Sequence, residues 1–364
     1  MDAGLRDRLA AIGLLDAGRM EAARPLSAHL QEWEAALLSK GVTEKHAKQT
    51  VGRVRNAFEA SEFRHYSEIS PNSVRDYLKD LRAPKVETVD GEEVEILGLS
   101  AQTSNHILTN CKSFCAWMVR EGRTVANPLA CLSPLSGKAV KQDARHARRV
   151  ETPANVARLL VVTAREPERF GMTGPERALL YRLAVESGLR SGELAGLAKM
   201  NFNLDGIPPC VVIQDGSTKN GQDADVPLLP ATVALLREHF ANKMPLTKAF
   251  NMPPAYDVAD MLKADLKAAQ IEYADAAGRC FDFHALRHCT ATFLANQGVH
   301  PKTVQDIIRH ADLKTTLRYF KHTVVAKRAE AMASMPDLSA KAIPEALEAT
   351  SGGRWLQPSN KNYY

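Results

Sequence analysis

Four side chains that can do chemistry follow one another near the end of the sequence, in the order His284, Arg287, His310 and Tyr319. An arginine guanidinium binds two anion oxygens at once, and a histidine exchanges protons near neutral pH. A tyrosine hydroxyl acts as a nucleophile when its proton is removed. Any one of these residues on a helix is most simply structural. Their order and spacing are therefore more informative than any single member.

Helix signals predict how these side chains are positioned. His284 and Arg287, three residues apart, project from one side of the start of a helix that Gly298 ends. The apolar residues that define this helix by their spacing are Leu286, Cys289, Phe293 and Leu294.

Two further helices are predicted after Gly298. Pro301 begins the first of them, and the chain breaks again at His310. Asp312 caps the next helix, beside whose apolar stripe Tyr319 is expected to lie rather than enter the core. The inward residues predicted for these two helices are Val304, Ile307 and Ile308 in the first, and Leu313, Leu317 and Phe320 in the second.

The ordered set resembles the C-terminal signature of the tyrosine recombinase (phage integrase) family. In this sequence it consists of His-x-x-Arg, a second histidine, and a tyrosine nine residues later that follows a Thr-Thr pair. The segment SGLRSGELAGL at 187–197 resembles the first arginine motif of the family. It places Arg190 at the start of a helix, with Glu193 three residues later.

The same resemblance directs attention to CVVIQDGSTKNGQDADVPL at 210–228, which reads as two β-strands around a turn. Lys219 lies in that turn, where the family carries its catalytic lysine. Two positions depart from the family pattern: Arg309 stands where a glycine commonly precedes the second histidine, and Ala311 where a serine is usual. The extra cation is expected either to tighten phosphate binding or to slow turnover.

The resemblance implies a site-specific recombinase that cleaves and rejoins DNA through a 3′-phosphotyrosyl intermediate, integrating or excising a mobile element. A phosphotyrosyl ester stores the bond energy without ATP. Only about one tyrosine in a thousand is ionised at pH 7, so cationic surroundings must favour the phenolate. The implied roles are nucleophile for Tyr319, phosphate binding for Arg190 and Arg287, hydrogen bonding or proton transfer for His284 and His310, protonation of the leaving 5′-oxygen for Lys219, and orientation of another site residue for Glu193.

The partners implied by the resemblance are double-stranded DNA at recombination sites, a homotetramer in the synaptic complex and an accessory DNA-bending protein. No cofactor is implied. No metal is expected either, because the histidines lack carboxylates at ligand spacing. Two alternatives remain: a type IB topoisomerase that relaxes DNA with the same chemistry, and a catalytically inactive DNA-binding relative.

Composition agrees with a globular protein that binds DNA. The chain has 364 residues, of which 45% are hydrophobic and 24% charged, enough for two domains. Its net charge is +5, which is mild support for a polyanionic partner. The six cysteines form no C-x-x-C pair, and no apolar run reaches transmembrane length. We therefore expect no membrane association and a cytoplasmic protein, bound to the nucleoid when on DNA.

The predicted fold is mainly α with a small β-hairpin or sheet (α+β), and it combines an N-terminal helical core-binding bundle with a tyrosine recombinase catalytic domain. Four helices are predicted between Pro25 and Pro128, with a hairpin at 84–98. The predicted parts are a short N-terminal segment at 1–24, a helical, SAM-like core-binding domain at 25–135, a basic linker at 136–150, a catalytic domain at 151–332 and a C-terminal tail at 333–364.

Basic residues suggest where DNA is contacted. On the second helix they are Lys45, Lys48 and Arg53, although a solvated helix face accounts for these equally well. The linker is expected to be a flexible basic strap that gains affinity for DNA through counterion release. Its basic residues are Lys138, Lys141, Arg145, Arg148 and Arg149.

Overall fold

The computed structural model describes residues 24–89, 92–143, 145, 147–213, 224–320, 332, 333 and 335. Lys219, nearly all of the predicted N-terminal segment and most of the predicted tail lie outside the described residues. The chain divides into two compact units, Met1–His146 and Ala147–Tyr364. The described parts are mostly helical with two small sheets, which confirms the predicted fold class.

The first unit contains the four helices that the sequence predicts. They are α1 (Leu26–Ser39), α2 (Glu44–Ala60), α3 (Pro71–Arg82) and α4 (Ala101–Arg120). Gly41, with φ +79°, follows α1, and the Ser100 hydroxyl caps α4 by accepting a hydrogen bond from the Thr103 amide. The buried rings of Trp33, Phe58 and Phe114 meet edge to face at 5.4 and 5.7 Å in the core.

A hairpin joins α3 to α4, as predicted. Its strands are β1 (Lys85–Val89) and β2 (Glu92–Ile96), which pair antiparallel with Val89 opposite Glu92. Asp90 and Gly91, where the sequence predicts the turn, lie outside the described residues.

Side chains hold both ends of the segment at 136–150, each end within its own unit, and the flexible strap between them stays a prediction. A short helix, α5 (Gly137–Gln142), begins where the Ser136 hydroxyl accepts from the Ala139 amide. Within the first unit, Arg145 pairs with Asp143 at 2.8 Å and donates to the Gly98 carbonyl oxygen.

The far end of the same segment is fixed within the second unit. Arg148 Nε donates to both carboxylate oxygens of Asp282, at 2.8 and 2.7 Å. Arg149 pairs with Glu151 and donates to the Glu272 carbonyl oxygen. The three arginines predicted to contact DNA therefore also make ion pairs within the protein.

The second unit surrounds a large apolar core. Its helices are α6 (Pro153–Thr163), α7 (Gly174–Ser187), α8 (Ser191–Gly196), α9 (Pro230–His239), α10 (Val258–Ala268), α11 (Phe283–Asn296), α12 (Pro301–Ile308) and α13 (Leu313–Leu317), followed by a 3-10 turn at Arg318–Phe320. The sheet has the order β3 (Phe202–Asn203), β4 (Cys210–Ile213) and β5 (Ala224–Pro227), all antiparallel. β4 and β5 are the predicted strands, and the short β3 was not predicted.

A buried ion pair lies within this core. The Arg177 guanidinium on α7 donates to both oxygens of Asp265 on α10, at 2.8 and 3.0 Å, and neither side chain is exposed. The Tyr181 hydroxyl donates to the same carboxylate at 2.8 Å. Because every carboxylate oxygen has a donor, the buried charge is compensated and α7 is fixed against α10.

The predicted apolar stripe is wrong for its two leucines, whereas Phe320, just after α13, packs partly buried against a small apolar cluster. Leu313 and Leu317 are 36% and 41% exposed, whereas Thr316 between them is fully buried. The Thr316 hydroxyl lies 3.0 Å from His310 Nδ1. This polar contact, rather than the leucines, therefore sets the rotation of the short helix.

Candidate active site

Arg190 is held where α7 gives way to α8. Gly188 ends α7 with φ +64°, where glycine is favoured, and a Cβ there would lie 3.1 Å from the Ile308 side chain, which would have to shift slightly. Arg190 is the N-cap of α8, and Glu193 accepts from its backbone amide and from its Nη1, both at 2.8 Å. The sequence motif thus fixes the arginine through a carboxylate one helical turn away.

Arg287 lies at the junction of three helices. It projects from α11, is 2% exposed, and donates to the carbonyl oxygens of Gly188 and Ile308, where α7 and α12 end. Burial lowers the pKa of Arg287 to about 9, with further contributions from Arg190 and Arg309. Arg287 is therefore a structural residue as well as the family's expected phosphate-binding arginine.

The double role gives a testable prediction. Replacing Arg287 with Ala should lower the free energy of unfolding by roughly 2–3 kcal/mol, because it leaves two buried carbonyl oxygens without donors. Urea denaturation measures the loss, and Arg237→Ala, at an exposed arginine paired with Asp205, is the control. Equal stability of the Arg287 variant and the control would contradict a structural role.

Two histidine rings contact the Tyr319 ring, and a third histidine contacts one of these two. The His288 ring lies 5.4 Å from the Tyr319 ring at 86°, and the His310 ring lies 6.2 Å away at 22°. His284 contacts His288 at 5.2 Å. Burial, followed by neighbouring cations or histidines, lowers the pKa of each histidine to about 4, so all three are neutral at pH 7.

Tyr319 is partly buried beside α11 and α12. It packs against the small apolar cluster of Ala291, Val304 and Ile308, which agrees with the prediction that it lies at the side of the core. Burial raises the pKa of its hydroxyl, whereas Arg287, Arg318 and Arg148 act to lower it. The phenol is therefore protonated here, and cations positioned to stabilise its phenolate are already present.

Tyr319 and the three histidines line a cleft of about 730 Å³. Its walls include His284, His288, His310 and Tyr319 together with four arginines, three of which are paired with carboxylates. A cationic cleft of this kind is suited to a phosphate diester. The arginines are Arg148, Arg149, Arg279 and Arg318.

The structure brings Arg190, Glu193, His284, Arg287, His310 and Tyr319 into one region through the contacts given above, and Lys219 lies outside the described residues. Sequence reasoning missed His288, although its position one helical turn after His284 places both on the same face of α11. It also missed Arg279 and Arg318, because no sequence pattern around these two arginines indicates a functional site. Among the described residues, no group of histidine, cysteine or carboxylate side chains is arranged to hold a metal.

The DNA contacts predicted on the first unit stay predictions. Lys45, Lys138 and Lys141 are exposed, and Arg53 is half-buried. Lys48 pairs with Glu44 on the same helix at 2.5 Å. Over the ranges described, no helix is long and apolar enough to span a membrane.

The fold and this site indicate an enzyme that acts on DNA, and comparison with known proteins shows which class of enzyme it resembles. Residues 152–325 match the phage integrase family. The tyrosine recombinase XerD of Neisseria meningitidis serogroup B is 28% identical over 236 residues, covering 64% of this chain and 74% of that protein. XerA of Saccharolobus solfataricus is 29% identical over 166 residues, covering 46% of this chain and 53% of that protein.

Solved structures share the fold. The Tn1549 transposon integrase, in complex with a circular intermediate DNA, superposes with a TM-score of 0.62 at 16% identity and covers 84% of this chain and 99% of that one. A lambda integrase dimer bound to a core site superposes with a TM-score of 0.60 at 16% identity, covering 82% and 95%. The family match over just under half of the chain, together with these relatives, supports the tyrosine recombinase/integrase family, whose members are enzymes that cleave and rejoin DNA strands.

Proposed function

We propose that the protein is a site-specific recombinase that integrates or excises a mobile element through a 3′-phosphotyrosyl intermediate. The observation that supports this most directly is the placement of Tyr319, with His288 and His310 around its ring and the charges of Arg287, Arg318 and Arg148 acting on its hydroxyl. The transposon and lambda integrases with the same fold support the mobile-element role.

In the proposed reaction, the Tyr319 hydroxyl oxygen attacks the scissile phosphorus and the bond from phosphorus to the 5′-oxygen breaks. The phosphate passes through a five-coordinate state with more negative charge on its oxygens, which Arg190 and Arg287 stabilise. His284 and His310, both neutral, donate hydrogen bonds or accept the tyrosine proton. Attack by the free 5′-hydroxyl reverses these steps and rejoins the strand.

The contact with Thr316 is compatible with either tautomer of His310, and we propose the one in which Nδ1 accepts a hydrogen bond. If His310 Nδ1 accepts a hydrogen bond from the hydroxyl, the proton lies on Nε2, which is then a donor toward the cleft. Thr316 thereby orients His310 without contacting DNA. The same contact explains why a polar residue, rather than a leucine, is buried on α13.

A double-stranded DNA substrate with a nick near the cleavage site tests the proposal. The short fragment diffuses away after cleavage, so a covalent protein–DNA adduct accumulates and is detected on a denaturing gel. Relaxation of supercoiled plasmid without exchange between two sites would instead support the topoisomerase alternative. Specific binding without adduct would support an inactive relative.

Lys219 is proposed to protonate the departing 5′-oxygen. Lys219→Ala should therefore slow adduct formation by roughly 10²–10⁴-fold on ordinary DNA, the usual contribution of a general acid. A bridging 5′-thiolate leaves without a proton, so a substrate with sulfur at that position should restore cleavage. Absence of rescue would assign the acid role to another residue.

Assembly follows from the chemistry. One Tyr319 cuts one strand, and exchange between two duplexes needs four cuts, so four protomers are proposed to meet on two DNA sites. An accessory DNA-bending protein is proposed to assist where the sites lie far apart. We further propose that the protein acts in the cytoplasm on the nucleoid and that the exposed lysines of the first unit contact phosphates there.

A further inference from the structure

Arg309 ends α12 in a backbone conformation that arginine rarely adopts. Its φ and ψ are +51° and 53°, in the left-handed region. Glycine is the usual residue at such a helix end, because a Cβ is crowded there. The backbone is therefore unfavourable for this residue type, and other interactions offset the strain.

The Arg309 side chain forms a buried ion pair with Glu193. The Arg309 side chain is 10% exposed and donates through Nη2 to Glu193 Oε2 at 2.6 Å. The Glu193 side chain is itself only 2% exposed. Because water is largely excluded, this pair is screened far less than a surface ion pair. The arginine that departs from the family pattern is thus tied to the carboxylate that positions Arg190.

Glu193 divides its two oxygens between the arginines. Oε1 accepts from Arg190 Nη1 at 2.8 Å, whereas Oε2 accepts from the Arg190 backbone amide and from Arg309. Nη1 is the guanidinium atom through which Arg190 binds the carboxylate. The Arg190 side chain remains 28% exposed, so part of its guanidinium is accessible to an anion.

Arg309 also changes the charge of the group. Arg190, Arg287 and Arg309 together carry three positive charges, against the single carboxylate of Glu193. The charge of Arg309 acts on Arg287, since it contributes to the lowered pKa of that residue. The excess positive charge favours an anion beside the group.

We propose that Arg309 is a positioning residue of the phosphate site, which holds one oxygen of Glu193 so that this carboxylate does not bind the Arg190 guanidinium through both oxygens. A carboxylate that binds both arms of a guanidinium satisfies the donors that a phosphate would otherwise use. Arg309 thereby leaves Arg190 with free donors and uncompensated charge for the scissile phosphate. This inference rests on the proposed function, because it concerns the same phosphate site.

The test compares Arg309→Gln with Arg309→Lys. Both variants keep a side chain at the left-handed position, so their backbone strain is matched, but Lys alone keeps the charge that holds Glu193. With nicked DNA at saturation, Arg309→Gln should lower the rate of covalent adduct formation roughly tenfold, less than the 10²–10³-fold loss of a donor that contacts the transition state itself. Arg309→Lys should stay within about threefold of the unchanged protein.

A double-mutant cycle with Glu193→Gln tests whether Arg309 acts through the carboxylate. A neutral amide at position 193 cannot neutralise Arg190, so Arg309→Gln should then cost less than about twofold. Losses that multiply independently in the double variant would overturn the proposal. Equal losses in the Gln and Lys variants would also overturn it, because charge would then not matter.

The variant Arg309→Gly tests whether a folding defect, rather than the lost ion pair, causes the lower rate. It removes the backbone strain, should remain folded by thermal denaturation, and should lose adduct formation to the same extent as Arg309→Gln. A glycine variant that cleaves at the original rate would overturn the inference. Arg237→Gln, at a surface arginine on α9, is the control and should leave the rate unchanged.

Failure of the proposed function gives a different result from failure of this inference. If the unchanged protein forms no adduct on nicked DNA, the recombinase chemistry itself is wrong. If the unchanged protein forms the adduct and Arg309→Gln forms it equally fast, the inference alone is wrong.

Discussion

Replacing Tyr319 with Phe should abolish covalent attachment to DNA and leave both folding and DNA binding nearly intact. The change removes one oxygen and almost no volume from a half-buried ring that packs against Ala291, Val304 and Ile308. The remaining ring keeps its contacts with His288 and His310. Because no other atom would replace the nucleophile, adduct formation should fall below detection, a loss of at least roughly 10⁴-fold.

The measurement is a denaturing gel with nicked DNA, accompanied by a gel-shift assay under native conditions. Tyr256→Phe is the matched control, since Tyr256 is 77% exposed in the same unit and should form adduct at the original rate. A persistent adduct in the Tyr319 variant would place the nucleophile elsewhere. Lost binding would show that the hydroxyl has a structural role.

Replacing Asp265 with Ala should lower the free energy of unfolding of the second unit by about 3–5 kcal/mol, the usual effect of breaking a buried ion pair from one side. The substitution leaves the fully buried Arg177 guanidinium without its carboxylate and removes the acceptor of the Tyr181 hydroxyl. Domains have only about 5–15 kcal/mol of stability in total, so such a loss would unfold a sizeable fraction at 37 °C.

Urea denaturation measures this loss, and Asp260→Ala on the same helix is the control. Asp260 is 62% exposed and pairs with Lys263 at the surface, so its loss should cost less than about 1 kcal/mol. The double variant Arg177→Met with Asp265→Leu removes both charges and should be more stable than Asp265→Ala. A double variant as unstable as the single one would show that packing, rather than the unpaired charge, causes the loss.

Local signals made most helices predictable. Pro71, Pro301 and Gly298 mark helix ends because their backbone preferences act on the nearest residues, and the structure has ends at or within two residues of each. The rotation of α13 was not predictable in the same way. It depends on a contact between Thr316 and His310, and a leucine stripe of only a few residues does not outweigh that contact.

The site residues, too, were predictable only where a local sequence pattern places them. His284 and Arg287 share a face because helical spacing requires it, and Glu193 meets Arg190 within one turn. The ion pair between Glu193 and Arg309 joins residues 116 positions apart, and no pattern in the sequence indicates it. The contacts of Arg148 with Asp282 and of Arg149 with Glu272 also join residues far apart in the sequence, whereas the ion pair of Arg149 with Glu151 is local and was not predicted.

The double attachment of Arg287 has a consequence for how this protein changes under relaxed selection. Arg287 holds the ends of α7 and α12 through two carbonyl oxygens, so a copy that no longer needs activity is still destabilised by losing the arginine. Among the described contacts, the Tyr319 hydroxyl makes no comparable structural hydrogen bond. Phenylalanine can therefore replace Tyr319 with little loss of stability. Decaying copies of the gene should therefore lose the tyrosine before the arginine, and retention of Arg287 alone is poor evidence that a relative is still active.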